Sequence, residues 1–325
     1  MIDTLYAAVA RRRREWFAAH PKARRRLRHP VISIGNIAAG GRGKTPFAAL
    51  VTRLLLEAGE RPAILSRGYA RTDPVAGAVI VRDREGIRAD LARAGDEPLM
   101  LARQLPGAIV VTSRDRFLAG QRAEEDLGAT VHVLDDGFQH FGLDRDIDIV
   151  LVKAADLTAS TFPSGRLREP ADVLVAADAI VALDAFDSPQ EHAAFFRGTR
   201  HTADAVFDDG RGRSGERVLG VAGIADPEPF FAELAAHGFQ VAGVRRFKDH
   251  HPFSAADAAR LIGEARAVNA QAIVTTEKDY VRLLPHRPFA LPLGYLPLTM
   301  DVEPHDAFRR WLFESVAAAR DIILG

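Results

Sequence analysis

A glycine-rich segment near the start of the chain carries residue types that suit the binding of a nucleoside triphosphate. It follows the apolar run at residues 31–34 and precedes a stretch with helical spacing, which predicts a strand, a loop and a helix in that order. Glycines let the backbone wrap around an anion, and the N-terminus of the helix adds a favourable potential. Lys44 can reach the β and γ phosphates, and the Thr45 hydroxyl can bind Mg²⁺. The predicted ATP-binding residues are Gly40, Gly41, Arg42, Gly43, Lys44 and Thr45.

This segment departs from the usual phosphate-loop pattern at one position. The pattern has a glycine five residues before Gly43, and this chain has Ala38 there. A tight strand–helix turn that binds no ligand would also contain glycines. A nucleotide site is the favoured interpretation, because Gly43, Lys44 and Thr45 stand at the predicted junction of strand and helix.

Two adjacent aspartates follow the apolar run at residues 131–134. A buried strand that ends in acid is what phosphate-loop enzymes use to hold Mg²⁺, directly or through water. Because Asp-Asp-Gly is also common in turns, the metal role depends on the neighbouring phosphate loop. Adjacent carboxylates leave a strand end in different directions, so either aspartate could be the direct ligand. The predicted metal ligands are Thr45, Asp135 and Asp136, and Gln139 and His140 can face the same site.

Three further motifs each allow a structural and a functional interpretation. Asp96 opens a predicted helix, where it can cap the helix or act as the general base for an attacking hydroxyl. The run at residues 247–253 is either a surface loop or a loop that brings His250 to a cleft when two domains close. The run at residues 275–279 follows a strand and has the residues of a capped helix start.

These motifs must be positioned by alternating strands and helices. Apolar runs separated by helical stretches predict an α/β fold, in which a mostly parallel sheet like that of P-loop NTPases has helices on both faces. Periodicity is weak from residue 184 to 216, and the polar, glycine-rich run at 208–215 suggests a domain boundary. A second, smaller α/β domain follows, and a terminal helix begins near Asp306.

The composition narrows the classes of protein to consider. The chain has 325 residues, which suits one large domain and one smaller domain. Cysteine is absent, which excludes disulfides and thiolate metal sites. Lys plus Arg (43) equals Asp plus Glu (43), so no whole-protein field favours nucleic acid. No secretory signal and no spanning helix are expected from the sequence.

The first 28 residues concentrate positive charge on a predicted amphipathic helix. Apolar side chains fall largely on one side, with arginines between them; they are Ile2, Leu5, Tyr6, Val9, Trp16 and Phe17. Such a helix can lie in the membrane interface with its cations facing anionic lipid. It can equally be a surface helix with its apolar side on the protein. The arginines could also bind nucleic acid in a salt-sensitive way, but the aromatic residues are not interleaved for base stacking, so no nucleic-acid partner is predicted.

Taken together, the motifs resemble those of the tetraacyldisaccharide 4′-kinase family of the lipid A pathway. The resemblance runs in order along almost the whole chain, at residues 30–36, 40–46, 66–69, 95–98, 135–140, 165–170, 249–251 and 275–279. It implies an enzyme that transfers the γ-phosphate of ATP, with Mg²⁺, to the 4′-hydroxyl of a tetraacyldisaccharide 1-phosphate, giving lipid IV-A. Arg42, like Ala38, departs from the small hydroxylated residues that the family tends to have there.

The resemblance also implies roles for individual residues. Asp96 would be the base, with His250 as its partner, and Asp136 would join Asp135 at the metal. The implied substrate contacts are Asn36, Gln139, His140, Arg168 and Glu169. The chain would then comprise a membrane-associating region at residues 1–28, a P-loop kinase domain at 29–210, a smaller domain at 211–305 that closes over the cleft, and a C-terminal helix at 306–325.

The partners that follow from the resemblance are ATP, the acylated disaccharide and the inner-membrane surface. A peripheral monomer on the cytoplasmic face of that membrane is expected. The alternative is a membrane-associated nucleotide-switch ATPase of the partitioning type, whose loop has the same Gly-Gly-x-Gly-Lys-Thr order. Such proteins usually carry a second lysine early in the loop, where this chain has Ala38 and Ala39.

Overall fold

The computed structural model describes residues 2–68, 71–73, 77–211 and 213–324. Tyr69 of the motif at 66–69 and Gly212 of the predicted boundary lie outside the described residues. The described helices are α1 (Ile2–Ala19), α2 (Lys44–Glu57), α3 (Leu91–Ala94), α4 (Asp96–Gln104), α5 (Arg116–Glu125), α6 (Ala154–Leu157), α7 (Glu228–Ala236), α8 (Ala255–Ala267), α9 (Glu277–Leu283) and α10 (His305–Leu324). Three short 3₁₀ segments are Pro21–Ala23, Ala171–Ala176 and Leu284–His286.

Fourteen strands are described, and they form two sheets. They are β1 (Val31–Asn36), β2 (Pro62–Ser66), β3 (Val79–Arg82), β4 (Ile109–Thr112), β5 (Val131–Asp135), β6 (Ile147–Val152), β7 (Ala179–Ala182), β8 (Ala194–Thr202), β9 (Val206–Phe207), β10 (Arg217–Ala222), β11 (Gln240–Arg246), β12 (Ala272–Thr276), β13 (Leu293–Leu296) and β14 (Leu298–Glu303).

The large sheet has the strand order β14-β8-β7-β6-β1-β5-β2-β4-β3. The seven strands from β8 to β4 are parallel, whereas β14 and β3 run antiparallel at the two edges. Ile32 and Ile34 pack on the face that carries α2, α4 and α10, whereas Val31 packs on the face that carries α5. Strand residues alternate between faces in this way because successive side chains point to opposite sides. The predicted α/β fold with helices on both faces is confirmed.

The smaller sheet has the order β11-β10-β12-β13-β9, with only β9 antiparallel among its described strands. In the sequence it lies between β8 and β14, which pair with each other from Leu298–Thr202 to Glu303–Arg197. The smaller unit is therefore inserted between two neighbouring strands of the large sheet. The sequence-based limits of 211–305 need correction at both ends, because β9 precedes residue 211 and β14 returns to the large sheet.

The C-terminal helix α10 packs on the large sheet. Phe308 is fully buried, and its ring lies 5.6 Å from that of Phe47 on α2 and 5.1 Å from that of Phe196 on β8. Leu312 and Val316 continue the same apolar face into the core. The helix thus covers the strand that leads out to the smaller sheet.

We expect Phe308→Ala to destabilise the protein by about 3–5 kcal/mol, because it removes a buried ring and leaves a cavity between α2, α10 and β8. Chemical denaturation followed by circular dichroism measures this loss. The control is Ile322→Ala on the same helix, which alters a side chain that is 74% exposed and should change stability by less than about 0.5 kcal/mol. Equal losses in the two variants would contradict the packing role of Phe308.

Candidate active site

The phosphate loop connects β1 to α2 at the centre of the large sheet. Gly43 precedes α2 with φ of 79°, a left-handed conformation that favours glycine. A Cβ atom there would lie 3.1 Å from Cδ of Arg200 on β8, so a side chain would also crowd the neighbouring strand. On its other side, the loop is held by the Ala39 amide, which donates to the Arg166 carbonyl at 2.8 Å. The loop has the strand–loop–helix form that the sequence predicts.

Lys44 points back across the loop toward two predicted site residues. Its Nζ donates to Oδ1 of Asn36 at 3.1 Å and lies 3.4 Å from Oδ1 of Asp136. The Asn36 amide in turn donates to the Ala38 carbonyl at 2.7 Å. The lysine is therefore held at the mouth of the loop, where it can offset the charge of terminal phosphates.

Asp135 ends β5 directly beside the first turn of α2. The Thr45 hydroxyl donates to its Oδ2 at 3.1 Å, while the buried Oδ1 has no hydrogen-bond partner among the described residues. Burial, with the nearby charges of Glu97 and Asp136, raises the pKa of Asp135 to about 7. A buried carboxylate with a free oxygen beside a hydroxyl is a donor set that suits Mg²⁺, which prefers oxygen ligands and keeps other positions for water and phosphate. A cation would also relieve the burial cost of this carboxylate.

Asp136 follows Asp135 and is held by two cations, Lys44 and Arg168. Its backbone is left-handed with φ of 62°, and NH1 of Arg168 contacts its two carboxylate oxygens at 3.0 and 3.1 Å. Burial opposes ionisation, but Lys44 and Arg168 outweigh it and hold the pKa of Asp136 below its usual value. The two aspartates thus differ in pKa and in partners, as adjacent residues at a strand end can.

The turn after Asp136 lies against β1. A Cβ atom at Gly35 would lie 2.3 Å from Cβ of Phe138, so glycine permits this close approach. The Gln139 amide donates to the Asn36 carbonyl at 2.9 Å, and its buried Oε1 has no hydrogen-bond partner among the described residues. His140 is half-buried, and burial, with the charges of Arg116 and Arg145, lowers its pKa to about 4.

Asp96 begins α4 and is buried against the smaller domain. Its Oδ1 accepts the Glu97 amide at 2.8 Å within the first turn of α4. Its Oδ2 accepts two bonds from Arg282 of α9 and lies 3.3 Å from Nδ1 of His250. Burial opposes ionisation of this carboxyl, but Lys278 and Arg282 outweigh it and lower its pKa. The structure therefore brings Asp96 and His250 together, which is the proximity that the family resemblance implies.

Two residues at this cluster were missed as site candidates. Lys278 donates to Oε1 of Glu97 at 3.0 Å and lies 3.3 Å from Nε2 of His250. Arg282 follows four residues later on the same helix, so both face α4. The run at 275–279 does form a capped helix start, because the Thr276 hydroxyl accepts the Asp279 amide at 3.1 Å. Lys278 lies within that run, so the motif itself could have indicated it as a site residue. Arg282 lies beyond the run, and no motif in the sequence pointed to it.

Arg42 makes a contact that the loop sequence does not suggest. Its guanidinium forms a two-pronged ion pair with Asp156 of α6, in which Nε lies 3.0 Å from Oδ2 and NH2 contacts Oδ1. The side chains of both partners are almost fully buried, and Oδ2 of Asp156 also accepts the Lys153 amide at 3.0 Å. Arg42 is thus directed into the protein and ties the tip of the loop to α6.

Glu169 contacts the N-terminal helix in this structure. Arg14 of α1 donates to both of its carboxylate oxygens, at 2.9 and 2.8 Å, and Glu169 is 3% exposed. The same guanidinium lies 4.4 Å from the ring centroid of Phe138 and 4.9 Å from that of Phe141. Whereas the neighbouring Arg168 reaches Asp136 at the phosphate loop, Glu169 anchors α1 to the domain of the large sheet.

The docked face of α1 differs from the apolar side expected from the sequence. The residues that turn toward the protein recur at helical spacing and are Asp3, Ala7, Ala10, Arg14 and Phe17. Phe17 packs on Phe141 with the ring centroids 5.6 Å apart, so it does not belong with the other apolar residues. Leu5, Val9 and Trp16 remain 67%, 61% and 48% exposed. Among the described residues, no helix has the length and apolar character needed to cross a bilayer.

Comparisons with known proteins agree over the whole chain. The family model described as tetraacyldisaccharide-1-P 4′-kinase matches residues 1–317. A tetraacyldisaccharide 4′-kinase of Syntrophus aciditrophicus is 37% identical over 317 residues, covering 89% of this chain and 84% of the relative. One from Geobacter metallireducens is 39% identical over 298 residues, covering 88% of each. A crystal structure of LpxK from Aquifex aeolicus in complex with ATP has a TM-score of 0.82 at 29% identity, with 97% of both chains covered.

The buried pair of Arg42 and Asp156 yields a stability prediction. Arg42→Ala leaves a carboxylate buried without its cation, which should cost about 3–5 kcal/mol and loosen the loop tip, so that ATP binds more weakly. Arg42→Ala combined with Asp156→Ala removes both charges and should recover part of the stability but not the ATP affinity. Denaturation and calorimetric ATP titration measure the two effects.

The control for this prediction is Arg88→Ala, which breaks an exposed ion pair with Asp83. It should change stability by less than about 1 kcal/mol. If the Arg42→Ala variant lost no more stability than the Arg88→Ala variant, and bound ATP as tightly as wild type, the anchoring role of Arg42 would be wrong.

Proposed function

The chain belongs to the tetraacyldisaccharide 4′-kinase family, and from this premise we propose how its own residues perform the reaction. The protein is a kinase that transfers the γ-phosphate of ATP to the 4′-hydroxyl of a tetraacyldisaccharide 1-phosphate, giving lipid IV-A. The observation that supports the assignment of roles is that Thr45 of the phosphate loop contacts Asp135 at 3.1 Å. Glu97, the neighbour of Asp96, is also close enough for its charge to raise the pKa of Asp135.

The phosphate loop and Lys44 bind the nucleotide. Backbone amides at the start of α2 and the Lys44 ammonium surround the β and γ phosphates, so they act where negative charge is greatest. Thr45 and Asp135 would hold Mg²⁺, which supplies charge stabilisation at the transferring phosphoryl group. The 3.1 Å contact of these two side chains, with the free Oδ1 of Asp135, supports that donor set.

Asp96 acts as the general base for the 4′-hydroxyl. Its lowered pKa keeps it ionised at neutral pH, so it can accept a hydrogen bond from the hydroxyl and align it for attack. His250, from the smaller domain, lies beside Oδ2 of Asp96, the oxygen that Arg282 also contacts. Phosphoryl transfer demands mainly positioning and charge stabilisation, so a well-held carboxylate of low basicity suits this role.

Arg168 and the residues around it form the substrate side of the site. Arg168 reaches Asp136 next to Lys44, and Gln139 has a free buried oxygen beside Asn36. These groups can bind polar parts of the disaccharide, with His140 at the rim. A monomer is the active form in this proposal, since the site as assigned needs no residue from a second chain.

The partitioning ATPase is not supported as an alternative. The family match covers residues 1–317, and the matched relatives carry the kinase name. The smaller domain also contributes His250, Lys278 and Arg282 to the cluster around Asp96, which an ATPase switch without an acceptor would not need.

We place the protein at the cytoplasmic face of the inner membrane, held there by α1. The substrate has four acyl chains, so it stays in a bilayer, and the kinase must reach that surface. The exposed Leu5, Val9 and Trp16 lie opposite the docked face, with Arg12 and Arg13 also exposed. Apolar side chains flanked by arginines suit insertion among anionic headgroups.

The base assignment is tested by Asp96→Asn. The amide keeps the shape of the side chain but cannot accept the proton, so the turnover number should fall about 10²- to 10⁴-fold. ATP affinity should stay within about threefold of wild type, because Asp96 does not contact the phosphate loop. The rate is measured with the disaccharide lipid in detergent, and binding by calorimetry.

Asp90→Asn is the matched control for this substitution. Asp90 caps α3 by accepting the Arg93 amide at 3.0 Å and lies outside the cluster, so its variant should keep a near wild-type rate. An Asp96→Asn enzyme that bound ATP and phosphorylated the lipid at full rate would remove Asp96 from the mechanism.

The membrane role of α1 is tested by replacing Leu5, Val9 and Trp16 with serine together. Vesicle binding should fall more than about tenfold, because insertion of these side chains is the apolar part of the binding energy. The Arg14–Glu169 pair that docks α1 is untouched. Sedimentation with vesicles of phosphatidylethanolamine and phosphatidylglycerol measures the change, and Ile322→Ser on α10 is the control. Unchanged sedimentation of the triple variant would show that α1 does not bind the membrane.

A further inference from the structure

Arg282 is the most completely surrounded cation at the contact between the two domains. Its side chain is 5% exposed. On one side, its Nε and NH2 donate to Oδ2 of Asp96 at 2.9 and 2.5 Å. On the other side, its NH1 donates to Oδ1 of Asp279 at 2.7 Å and to the Gly223 carbonyl at 3.1 Å. All three nitrogens are thus engaged, and the guanidinium bridges the two domains.

The anchor on the smaller domain is itself rigid. Oδ2 of Asp279 accepts the Gly223 amide at 2.7 Å and the Thr276 hydroxyl at 2.8 Å, and Asp279 is fully buried. This leaves Oδ1 of Asp279 to face Arg282, which therefore has little freedom to rotate away. Because its planar fork is held on one edge by Asp279 and Gly223, its other edge fixes the position of the Asp96 carboxylate.

We propose that Arg282 is a positioning residue for the kinase reaction, which reaches across from the smaller domain to orient the Asp96 carboxylate and keep it charged. Arg282 acts through Asp96 and does not touch the substrate or the nucleotide. This inference rests on the proposed function, in which Asp96 is the base. It means that the base is complete only when the smaller domain is in contact with α4.

The charged groups that face Asp96 predict how the loss of Arg282 would change the pH dependence of the activity. These groups are Arg282 and Lys278 of α9, His250 of the loop before α8, and Glu97 of α4 itself. Without Arg282, burial of Asp96 is opposed by fewer cations, so the pKa of Asp96 rises. A base with a raised pKa is protonated as the pH falls, and activity is then lost on the acid side.

The test compares Arg282→Gln with wild type across a range of pH. The ratio of the variant kcat/KM to the wild-type value should fall steadily as pH decreases, with the acid limb of the variant moved up by about 1 pH unit or more. The variant should bind ATP as wild type does, since Arg282 contacts no part of the phosphate loop. Arg287→Gln, whose guanidinium pairs with Asp208 on the surface of the same domain, should give a ratio near one at every pH.

Chemical rescue separates positioning from a loss of folding. Guanidinium ion added to Arg282→Ala should restore part of the activity, whereas it should not restore Lys278→Ala. If the neutral variants fail to fold, Arg282→Lys is the variant to measure, because it keeps the positive charge but lacks the two-pronged guanidinium. Its kcat should still be lower than that of wild type. A folded Arg282→Lys or Arg282→Gln enzyme with wild-type kcat/KM at all pH values would overturn the proposal.

A ratio that is lowered equally at all pH values, without rescue by guanidinium, would also overturn it, since that is the signature of a structural role alone. The outcome for Asp96→Asn keeps the two proposals distinct. If Asp96→Asn were inactive and Arg282→Gln fully active, only the positioning role of Arg282 would be wrong. If Asp96→Asn were active, the assignment of Asp96 as the base would itself be wrong.

Discussion

The parallel pairing of β5 with β1 is the constraint on which the rest of the site depends. Its register places Asp135 opposite Ile34, two residues before β1 ends at Asn36. The loop that follows β1 and the acid that ends β5 must therefore meet at the same edge of the sheet. Because β1 lies between β5 and β6, the loop has sheet on both sides, and Thr45 at the start of α2 is brought within 3.1 Å of Asp135. The positions of the phosphate loop, of Thr45 and Asp135, and of the turn at 136–140 all follow from this one pairing.

Burial and neighbouring charges then set the pKa of each charged group at that edge. Asp135 has a raised pKa and a free oxygen, Asp136 is paired with cations, and Asp96 is kept ionised by the smaller domain. A buried charge is costly unless it is paired, so each of these side chains depends on its partner. Because β8 and β14 carry the chain out to the smaller sheet and back, the partners of Asp96 come from an insertion that the large sheet itself holds in place.

Local patterns in the sequence were enough to predict the phosphate loop, the acidic strand end and the α/β fold, whereas the pairing of Asp96 with His250 was implied only by the family resemblance. Pairings between distant segments were not predictable in this way. Arg282 and Asp96 are 186 residues apart, and Arg14 and Glu169 are 155 apart, so no spacing rule relates them. Strand β8 was missed because its exposed half carries Arg197, Arg200 and His201, and its partner β14 comes about a hundred residues later. Phe17 was placed on the wrong side of α1 because only the docked kinase domain distinguishes its two sides.

We propose that these groups together direct the γ-phosphate of ATP to a single hydroxyl of a lipid sugar. The most direct test incubates the purified protein with ATP, Mg²⁺ and tetraacyldisaccharide 1-phosphate in detergent micelles, and determines the site of phosphorylation by ³¹P NMR and mass spectrometry. We expect one new phosphate ester at the 4′ position and ATP consumption that depends on the lipid. ATP hydrolysis to free phosphate at the same rate with and without the lipid, and no new ester, would contradict it.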